Sequence, residues 1–468
     1  MSTTDARSSR EIPEHIFREY DIRGIAEEEL TSETVRAIGQ AYGTYLSDLG
    51  IYTVSVGGDA RLSTPRVKGD VIEGLVRAGV SVIDIGLVST PTFYWSLYHF
   101  GVDGGVMITG SHNPPEFNGL KLAQGKATIW GDDIKEIYRI IAEGRTEISA
   151  SSGHVRVEDI SGPYLDMLIS KIKLGPKKLK VVLDSGNGTG GLFAPEFARA
   201  LGCEVIDLFS EPDGHFPNHH PDPTKREYLP SLIKAVLDSG ADVGIGFDGD
   251  ADRIGVVDDR GRMIFGDQLM LLFWSEILPK RQGAVAIVEV KSSMMLPEEL
   301  EKLGGRPIWW KSGHSLVKAK MREEDAIFSG EVSGHMFFAD EYWGFDDAFY
   351  AAGRLLRILS NTDKKLSELI DAMPSYPSTA ETRFPCPDDL KAGIVERVRD
   401  GAKGLEIIDI DGVRIVRKNG WSLLRSSNTQ PILVARCEGR TEADLTAISN
   451  DMKRRIKEAG GPDFEWEY

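Results

Sequence analysis

Asp248-Gly249-Asp250-Ala251-Asp252-Arg253 is the segment of this chain whose residue types and spacing speak most directly of chemistry. Three carboxylates at every second residue fall on one face of an extended stretch, and Gly249 and Ala251 leave room between them for a cation. An EF-hand calcium loop is excluded, because Arg253 stands where that loop needs Gly and Asp259 where it needs a bidentate Glu. The preceding Val243-Gly244-Ile245-Gly246-Phe247 also reads as strand. An all-oxygen site with open positions suits Mg²⁺, which binds alongside a phosphate. Arg253, beside three anions, is placed to steady a phosphoryl group in transfer. The competing reading is an acidic, solvated turn that binds no ion.

Thr109-Gly110-Ser111-His112-Asn113-Pro114-Pro115 follows the apolar run Gly105-Val106-Met107-Ile108, so the Ser111 hydroxyl sits on a stiff turn at a strand end. Ligands of open α/β sheets gather there, and a serine so placed can hold a group in transit. A hydrolase elbow needs G-x-S-x-G, and Thr109 and Asn113 occupy its glycine positions, which disfavours an esterase. Taken alone, the segment reads more readily as an ordinary Asn/Pro turn. Arg425-Ser426-Ser427-Asn428-Thr429-Gln430 reads equally as a turn or as a phosphate cradle of guanidinium and hydroxyl donors. Gly330-Glu331-Val332-Ser333-Gly334-His335 offers a carboxylate, a hydroxyl and an imidazole suited to sugar hydroxyls, or a plain loop. Adjacent histidines in His215–Pro223 lack metal-ligand spacing and read as a structural loop.

These motifs need elements to position them. Apolar, β-branched runs alternate with helical stretches through three-quarters of the chain, the pattern of parallel α/β sheets. Thr53–Asp59, Val181–Gly188 and Val285–Ser293 each place a strand before a small polar loop and open three similar units. Strands ending at Ile108, Phe247 and Ser329 then lead into the loops that carry the chemistry. Val256–Ile264 reads as a hairpin turning on Asp-Asp-Arg-Gly. Beyond Met373-Pro374, short strands and an amphipathic segment make a smaller α+β region. A length of 468 residues, with 41% hydrophobic residues, calls for three or four domains of roughly 100–200 residues. Nowhere do 18 apolar residues run together, and the tail Met1–Arg10 lacks the apolar stretch of a signal peptide, so a cytoplasmic location is expected. Three scattered cysteines fit a reducing compartment. A net charge of −17 argues against nucleic acid and anionic membrane as partners while leaving room for a small anionic substrate in a locally basic cleft.

In their order along the chain, Tyr20-Asp21-Ile22-Arg23-Gly24, Thr109–Pro114, Asp248–Arg253, Gly330–His335 and Arg425–Thr429 resemble the α-D-phosphohexomutase family, over nearly the whole length. Within it, Gly-Glu-Val-Ser-Gly-His is most similar to the sugar loop of the phosphomannomutase/phosphoglucomutases. Val332 departs conservatively from their Met. The resemblance implies an α/β fold: three similar α/β domains with mixed sheets, plus a smaller α+β C-terminal domain, around a central cleft. The domains expected are 1–155 with a phosphoserine loop, 156–258 with a metal loop, 259–372 with a sugar loop and 373–468 with a phosphate loop, hinged near 373.

The resemblance also implies roles. Ser111 would rest as a phosphoserine and exchange its phosphoryl group with a hexose phosphate, through a hexose 1,6-bisphosphate that also serves as activator. Asp248, Asp250, Asp252 and the Ser111 phosphate would hold Mg²⁺. Arg23, His112 and Lys121 would stand near the reacting oxygen and Arg253 would add charge stabilisation, with Lys121 or His335 as general acid or base. Tyr20, Lys291, His314, Glu331, Ser333 and His335 would bind sugar, and Arg425, Ser427, Asn428 and Thr429 the idle phosphate. The expected activity is interconversion of hexose 1- and 6-phosphates of mannose or glucose, in a monomer or weak homodimer. The alternatives are a phosphoglucosamine mutase, a Mg²⁺-dependent sugar phosphatase, and a binding protein without catalysis.

Overall fold

The computed structural model describes residues 12–427 and 431–467, so Asn428 and Thr429 lie outside the described residues. The chain forms two compact units, one of residues up to Val88 with Trp95–Asp159, the other of Ser89–Tyr94 with residues from Ile160 on.

The first unit holds one sheet of seven strands: β1 Ile22–Ile25, β2 Thr53–Gly58, β3 Ser81–Leu87, β4 Gly104–Ile108, β5 Phe117–Gln124, β6 Ala127–Thr128 and β7 Val155–Val157. The order is β1-β5-β4-β2-β3-β7, with β6 beside β5. Strands β4, β2, β3 and β7 run parallel, whereas β5 turns back antiparallel to β4. Strand β4 is buried along its whole length, which is why it reads as an unbroken apolar run. The helix Ser32–Asp48 starts where the Thr31 hydroxyl accepts the Thr34 amide, and it buries Val35, Ile38, Tyr42 and Leu46 at helical spacing. Each such aliphatic side chain removed from water contributes about 1.5–3 kcal/mol.

The second unit repeats this wiring twice. Strands β8 Lys180–Asp184, β9 Glu204–Leu208, β10 Val243–Phe247, β11 Ile254–Asp258 and β12 Met263–Ile264 lie in the order β12-β11-β10-β8-β9. Strands β13 Val285–Glu289, β14 Arg306–Trp310, β15 Phe328–Gly330 and β16 Met336–Phe338 lie in the order β14-β13-β15-β16. In each of the three sheets one strand (β2, β8, β13) is central with the next two parallel on either side (β3 and β4, β9 and β10, β14 and β15), and the strand after those pairs antiparallel with the second of them. Repetition of the fold, suggested by pattern alone, is therefore topological. The expected joins at 155 and 258 fall within β7 and at the end of β11, and the two sheets continue to Val157 and Ile264. The hairpin β11–β12 turns on Asp258–Gly261, with Gly261 at φ +74°.

A fourth sheet is antiparallel throughout: β17 Thr382–Pro385, β18 Glu406–Ile408, β19 Val413–Arg417, β20 Gly420–Ser426 and β21 Ile432–Gly439, in the order β17-β21-β20-β19-β18. Helices Asp388–Asp400 and Glu442–Glu458 cover it around a core of Val413, Leu433, Met452 and Ile456. Among the described residues no helix is long and apolar enough to cross a membrane. All three cysteines are buried.

The histidine-rich loop serves the framework. His219 presents Nε2 to both carboxylate oxygens of buried Asp184, each at 3.0 Å, and Nδ1 to the His220 carbonyl at 2.9 Å. Burial works to lower the His219 pKa, and the Asp184 carboxylate outweighs it, leaving the imidazole above its ordinary value. A raised folded-state pKa stabilises the fold fully below the unfolded value of about 6.5 and loses that contribution as pH climbs through the folded value. His219→Gln is therefore expected to cost about 1.5–3 kcal/mol at pH 6, and clearly less at pH 9. Thermal midpoints of both proteins at the two pH values check this; a constant gap contradicts it.

Candidate active site

The three candidate site loops occupy one topological position, the connection from the third parallel strand of each sheet (β4, β10, β15) to its antiparallel partner. Ser111 lies between β4 and β5, the aspartates between β10 and β11, and Glu331–His335 between β15 and β16. Strand ends of parallel sheets are where loop amides and side chains are available to an anion, so each sheet delivers one functional loop.

Ser111 is 2% exposed and adopts φ +49°, a left-handed conformation unusual outside glycine. Its amide donates to the Thr109 hydroxyl at 2.8 Å, and its Oγ lies 3.1 Å from His112 Nδ1. Arg23 on β1 pairs with Asp21 and donates to Asn113 Oδ1 at 3.1 Å, tying it to the serine loop. Arg23 faces Gly119 across the β1–β5 ladder, so Lys121, two residues on along β5, projects from the same face and is buried. Tyr20 is half-buried just before β1.

Sequence inspection missed two residues here. Asp59, at the end of β2, accepts the Gly110 amide at 3.2 Å, and Arg61 donates into the carbonyls of the serine loop. Their signal is a buried acid and a buried base two residues apart directly after a strand.

In the second unit Asp248, Asp250 and Asp252 are all fully buried, and each offers a carboxylate oxygen within 4.8 Å of the others. They converge by a different route from the extended face expected of their spacing. The segment is a hairpin connection: Phe247 and Ile254 close the ladder, Ala251 sits at φ +58°, and Asp248 Oδ1 accepts the amides of Asp252 and Arg253, each at 3.1 Å. Folding back over a carboxylate brings the acids together, and the small residues between them permit the turn. Thr90 donates to Asp250 Oδ2 at 2.6 Å. Three buried carboxylates with one adjoining guanidinium are a donor set that fits a divalent cation, since buried like charges are costly without a counter-charge.

Arg253 lies 3.9 Å from Asp248 Oδ2 and donates its Nε–H to His335 Nε2 at 3.0 Å. That nitrogen is thereby the acceptor, while Nδ1 lies 3.1 Å from Asp346 Oδ2 without hydrogen-bond geometry. Asp346 also meets Lys318 at 2.8 Å, and His314 at 3.9 Å, while the His314 and His335 rings stack at 5.5 Å. Burial would raise the Asp346 carboxyl, but Lys318 and the two imidazoles hold it well below the usual range. Neither Asp346 nor Lys318 carried a sequence signal.

With Nε2 engaged by the guanidinium, His335 suits orientation of Arg253. His335→Gln can still accept the guanidinium proton and is expected to retain most of kcat, whereas His335→Ala loses it. If Gln instead falls by the ~10²–10⁴ of a lost acid–base catalyst, His335 moves the proton. Steady-state rates across pH decide.

Glu331 is buried, accepts the Gly313 amide at 2.5 Å, and has its pKa raised by burial and by neighbouring Glu289. Half-buried Ser333 follows it on the turn, whose Gly334 lies at φ +88°. Glu289, at the end of β13, accepts the Val332 amide at 2.7 Å and the Ser312 hydroxyl at 2.6 Å, as Asp59 does for the serine loop. Lys291 lies 3.1 Å from Glu289 and 3.2 Å from Glu381. Burial works against the Lys291 charge, and the two carboxylates overcome it and raise its pKa. Arg425, near the end of β20, is gripped by Asp411 at 3.1 Å, and Asp411 also accepts the Ser312 amide at 3.2 Å. The Ser427 carbonyl accepts Lys391 Nζ at 2.7 Å, which puts a further cation beside this turn.

Three sheets of one topology, each presenting a polar loop, and a fourth, antiparallel sheet with a basic turn define the class: a four-domain α/β enzyme built to handle phosphorylated ligands. The phosphoglucomutase/phosphomannomutase domain families match in order: α/β/α domain I over residues 14–147, domain II over 162–261, domain III over 265–376 and the C-terminal domain over 381–455. A phosphomannomutase/phosphoglucomutase of Pseudomonas putida is 42% identical, covering 95% of this chain and 96% of its own. A phosphoglucomutase of Neisseria gonorrhoeae is 40% identical, covering 97% and 99%. The crystal structure of a phosphoglucomutase/phosphomannomutase family protein from Burkholderia thailandensis superposes with a TM-score of 0.91 at 40% identity, over 98% of this chain and 100% of that one. This chain belongs to the phosphoglucomutase/phosphomannomutase family.

Proposed function

We infer that Ser111 is the phosphoryl carrier of this phosphohexomutase, which interconverts hexose 1-phosphates and hexose 6-phosphates. The observation that carries the reading is the serine itself: a buried hydroxyl fixed in a left-handed turn, on the loop that in the two sister sheets bears the aspartates and Glu331. In the first half-reaction the free sugar hydroxyl attacks the phosphorus of phospho-Ser111. The P–Oγ bond breaks, the hydroxyl proton leaves to a base, and a hexose 1,6-bisphosphate results. After the sugar reorients, Ser111 Oγ attacks the other phosphate, and the position that first carried it is released as a hydroxyl.

Asp248, Asp250 and Asp252 would hold Mg²⁺, which when bound supplies Lewis-acid charge to the phosphoryl oxygens. Arg253, kept in line by His335, adds fixed positive charge. Lys121, on one face with Arg23, is the base we favour, because His335 spends Nε2 on Arg253. Glu331 and Ser333, with Tyr20, Lys291 and His314, meet the sugar, and Arg425 and Ser427 the idle phosphate. A cytoplasmic enzyme acting on a small phosphosugar accords with the net charge of −17.

The test is a coupled assay on mannose 1-phosphate, glucose 1-phosphate and glucosamine 1-phosphate with Mg²⁺ and a trace of glucose 1,6-bisphosphate. Mannose or glucose 6-phosphate should form with little inorganic phosphate. Preference for the amino sugar would make it a phosphoglucosamine mutase, and steady phosphate release a phosphatase.

A further inference from the structure

Arg61 follows β2 by three residues, and its side chain is 0% exposed. The guanidinium has five N–H donors, and five acceptors receive them. Nε donates to Asp59 Oδ2 at 3.2 Å. One terminal nitrogen donates to the carbonyls of Pro114 at 2.6 Å and Phe117 at 2.9 Å. The other donates to those of Ser111 at 2.8 Å and Asn113 at 2.6 Å. Four carbonyls of the serine loop thus converge on one buried cation, whose charge Asp59 balances while accepting the Gly110 amide at 3.2 Å and the Thr64 hydroxyl at 2.7 Å. With its donors spent on the serine-loop carbonyls and on Asp59, Arg61 is not placed to grip a phosphate. What it fixes is the peptide that carries Ser111.

We propose that Arg61 is a positioning residue for phosphoryl transfer: its fork holds the Ser111 carbonyl, and so the left-handed turn that aims Oγ. The proposal rests on Ser111 being the phosphoryl carrier. A non-glycine residue at φ +49° lies in a sparsely populated conformation and persists only where its surroundings over-determine it. Here the determinant is a planar fork with two donors on each arm, which no other cation supplies; lysine brings three donors on a single nitrogen. Gly110 confirms how close the fit is, since a Cβ there would lie 2.5 Å from Arg61 Cζ and Nε. Loosening the fork misplaces Oγ relative to a bound sugar hydroxyl that must meet phosphorus in line, while a free water molecule can take up the in-line position wherever Oγ points. Water attack forms a new P–O bond, breaks P–Oγ, returns a proton to Oγ and frees inorganic phosphate.

Two variants test it, Arg61→Lys and Gly110→Ala, the second displacing the guanidinium while keeping its charge. Each is charged with glucose 1,6-bisphosphate, and phosphorylation of the Ser111 peptide is read by mass spectrometry. Rates are then normalised to phosphorylated protein. The expected result is a fall in kcat on the order of 10²-fold at nearly constant KM, with more inorganic phosphate released per sugar converted. A role limited to folding would lower the phosphorylatable fraction and the thermal midpoint, and leave the normalised kcat and the phosphate ratio at wild-type values; that outcome overturns the proposal. If one variant does not fold, the other carries the comparison. If wild-type protein takes up phosphate at a residue other than Ser111, the carrier assignment fails instead, and the two failures are told apart by the wild-type peptide alone.

Discussion

Ser111→Ala is expected to lower hexose phosphate interconversion on the order of 10⁴–10⁶-fold, the scale on which removal of a nucleophile disables an enzyme that works through a covalent intermediate. The Thr109 hydroxyl close by cannot substitute, because it accepts the Ser111 amide and helps to hold the turn. Nor should Ser111→Thr restore activity: a β-branched side chain at φ +49° is strained, so its hydroxyl would not take the serine's place. Binding should survive, because Glu331, Lys291 and Arg425 belong to other sheets and keep their own supports, Gly313, Glu289 and Asp411. Ser111→Ala should therefore bind glucose 1-phosphate by calorimetry with near wild-type affinity and take up no phosphate from glucose 1,6-bisphosphate. A protein that binds sugar phosphates without catalysis would show no turnover in the wild type either. Residual turnover in Ser111→Ala above about one part in 10³ would move the carrier elsewhere.

Much of this site could be read from local chemistry. Strand then polar loop at Ile108–Ser111, Phe247–Asp248 and Ser329–Glu331 is a pattern of burial, and burial of a parallel strand on both faces writes itself into the sequence as an apolar run. What decided the reading was order along the chain, since the serine loop, the sugar loop and the basic turn each read alone at least as well as ordinary turns or loops. The supports were not legible. Arg61 lies some fifty residues from the carbonyls it holds, and Asp346 meets Lys318, His314 and His335 from two elements further along. A polar residue reveals its partner only through the topology that brings the two together, and nothing near Asp346 in sequence marks it from its neighbour Asp347, which instead accepts the hydroxyls of Tyr164 and Tyr342. The aspartates show the opposite case. Their identity was legible and their geometry was not, because period two describes a strand and the hairpin turn at Ala251 replaces it.

Asp250→Asn is expected to raise the stability of the metal-free protein while disabling the enzyme, and the two effects have one cause. Asp248, Asp250 and Asp252 bury three carboxylates within 4.8 Å of one another. Without a cation their mutual repulsion works against folding, and deleting one charge relieves it. Asn keeps the shape and can still accept from the Thr90 hydroxyl, so the turn should persist. The thermal midpoint of the variant in EDTA should accordingly lie above that of the wild type. Adding Mg²⁺ reverses the ranking. A cation held only by the folded state stabilises it by about 2.7 kcal/mol at a hundred times its dissociation constant, and a site short of one anion forfeits most of that. Activity should fall by more than the ~10–100-fold that loss of an outlying partner costs a metal site, with partial recovery as Mg²⁺ is raised. Asp248→Asn should behave differently, because Asp248 also accepts the Asp252 and Arg253 amides and shapes the hairpin; its metal-free stability should drop and added Mg²⁺ should recover little. If the segment is only an acidic turn, wild-type protein shows no Mg²⁺-dependent shift in midpoint and EDTA leaves turnover intact, and the cation must then be sought elsewhere or given up.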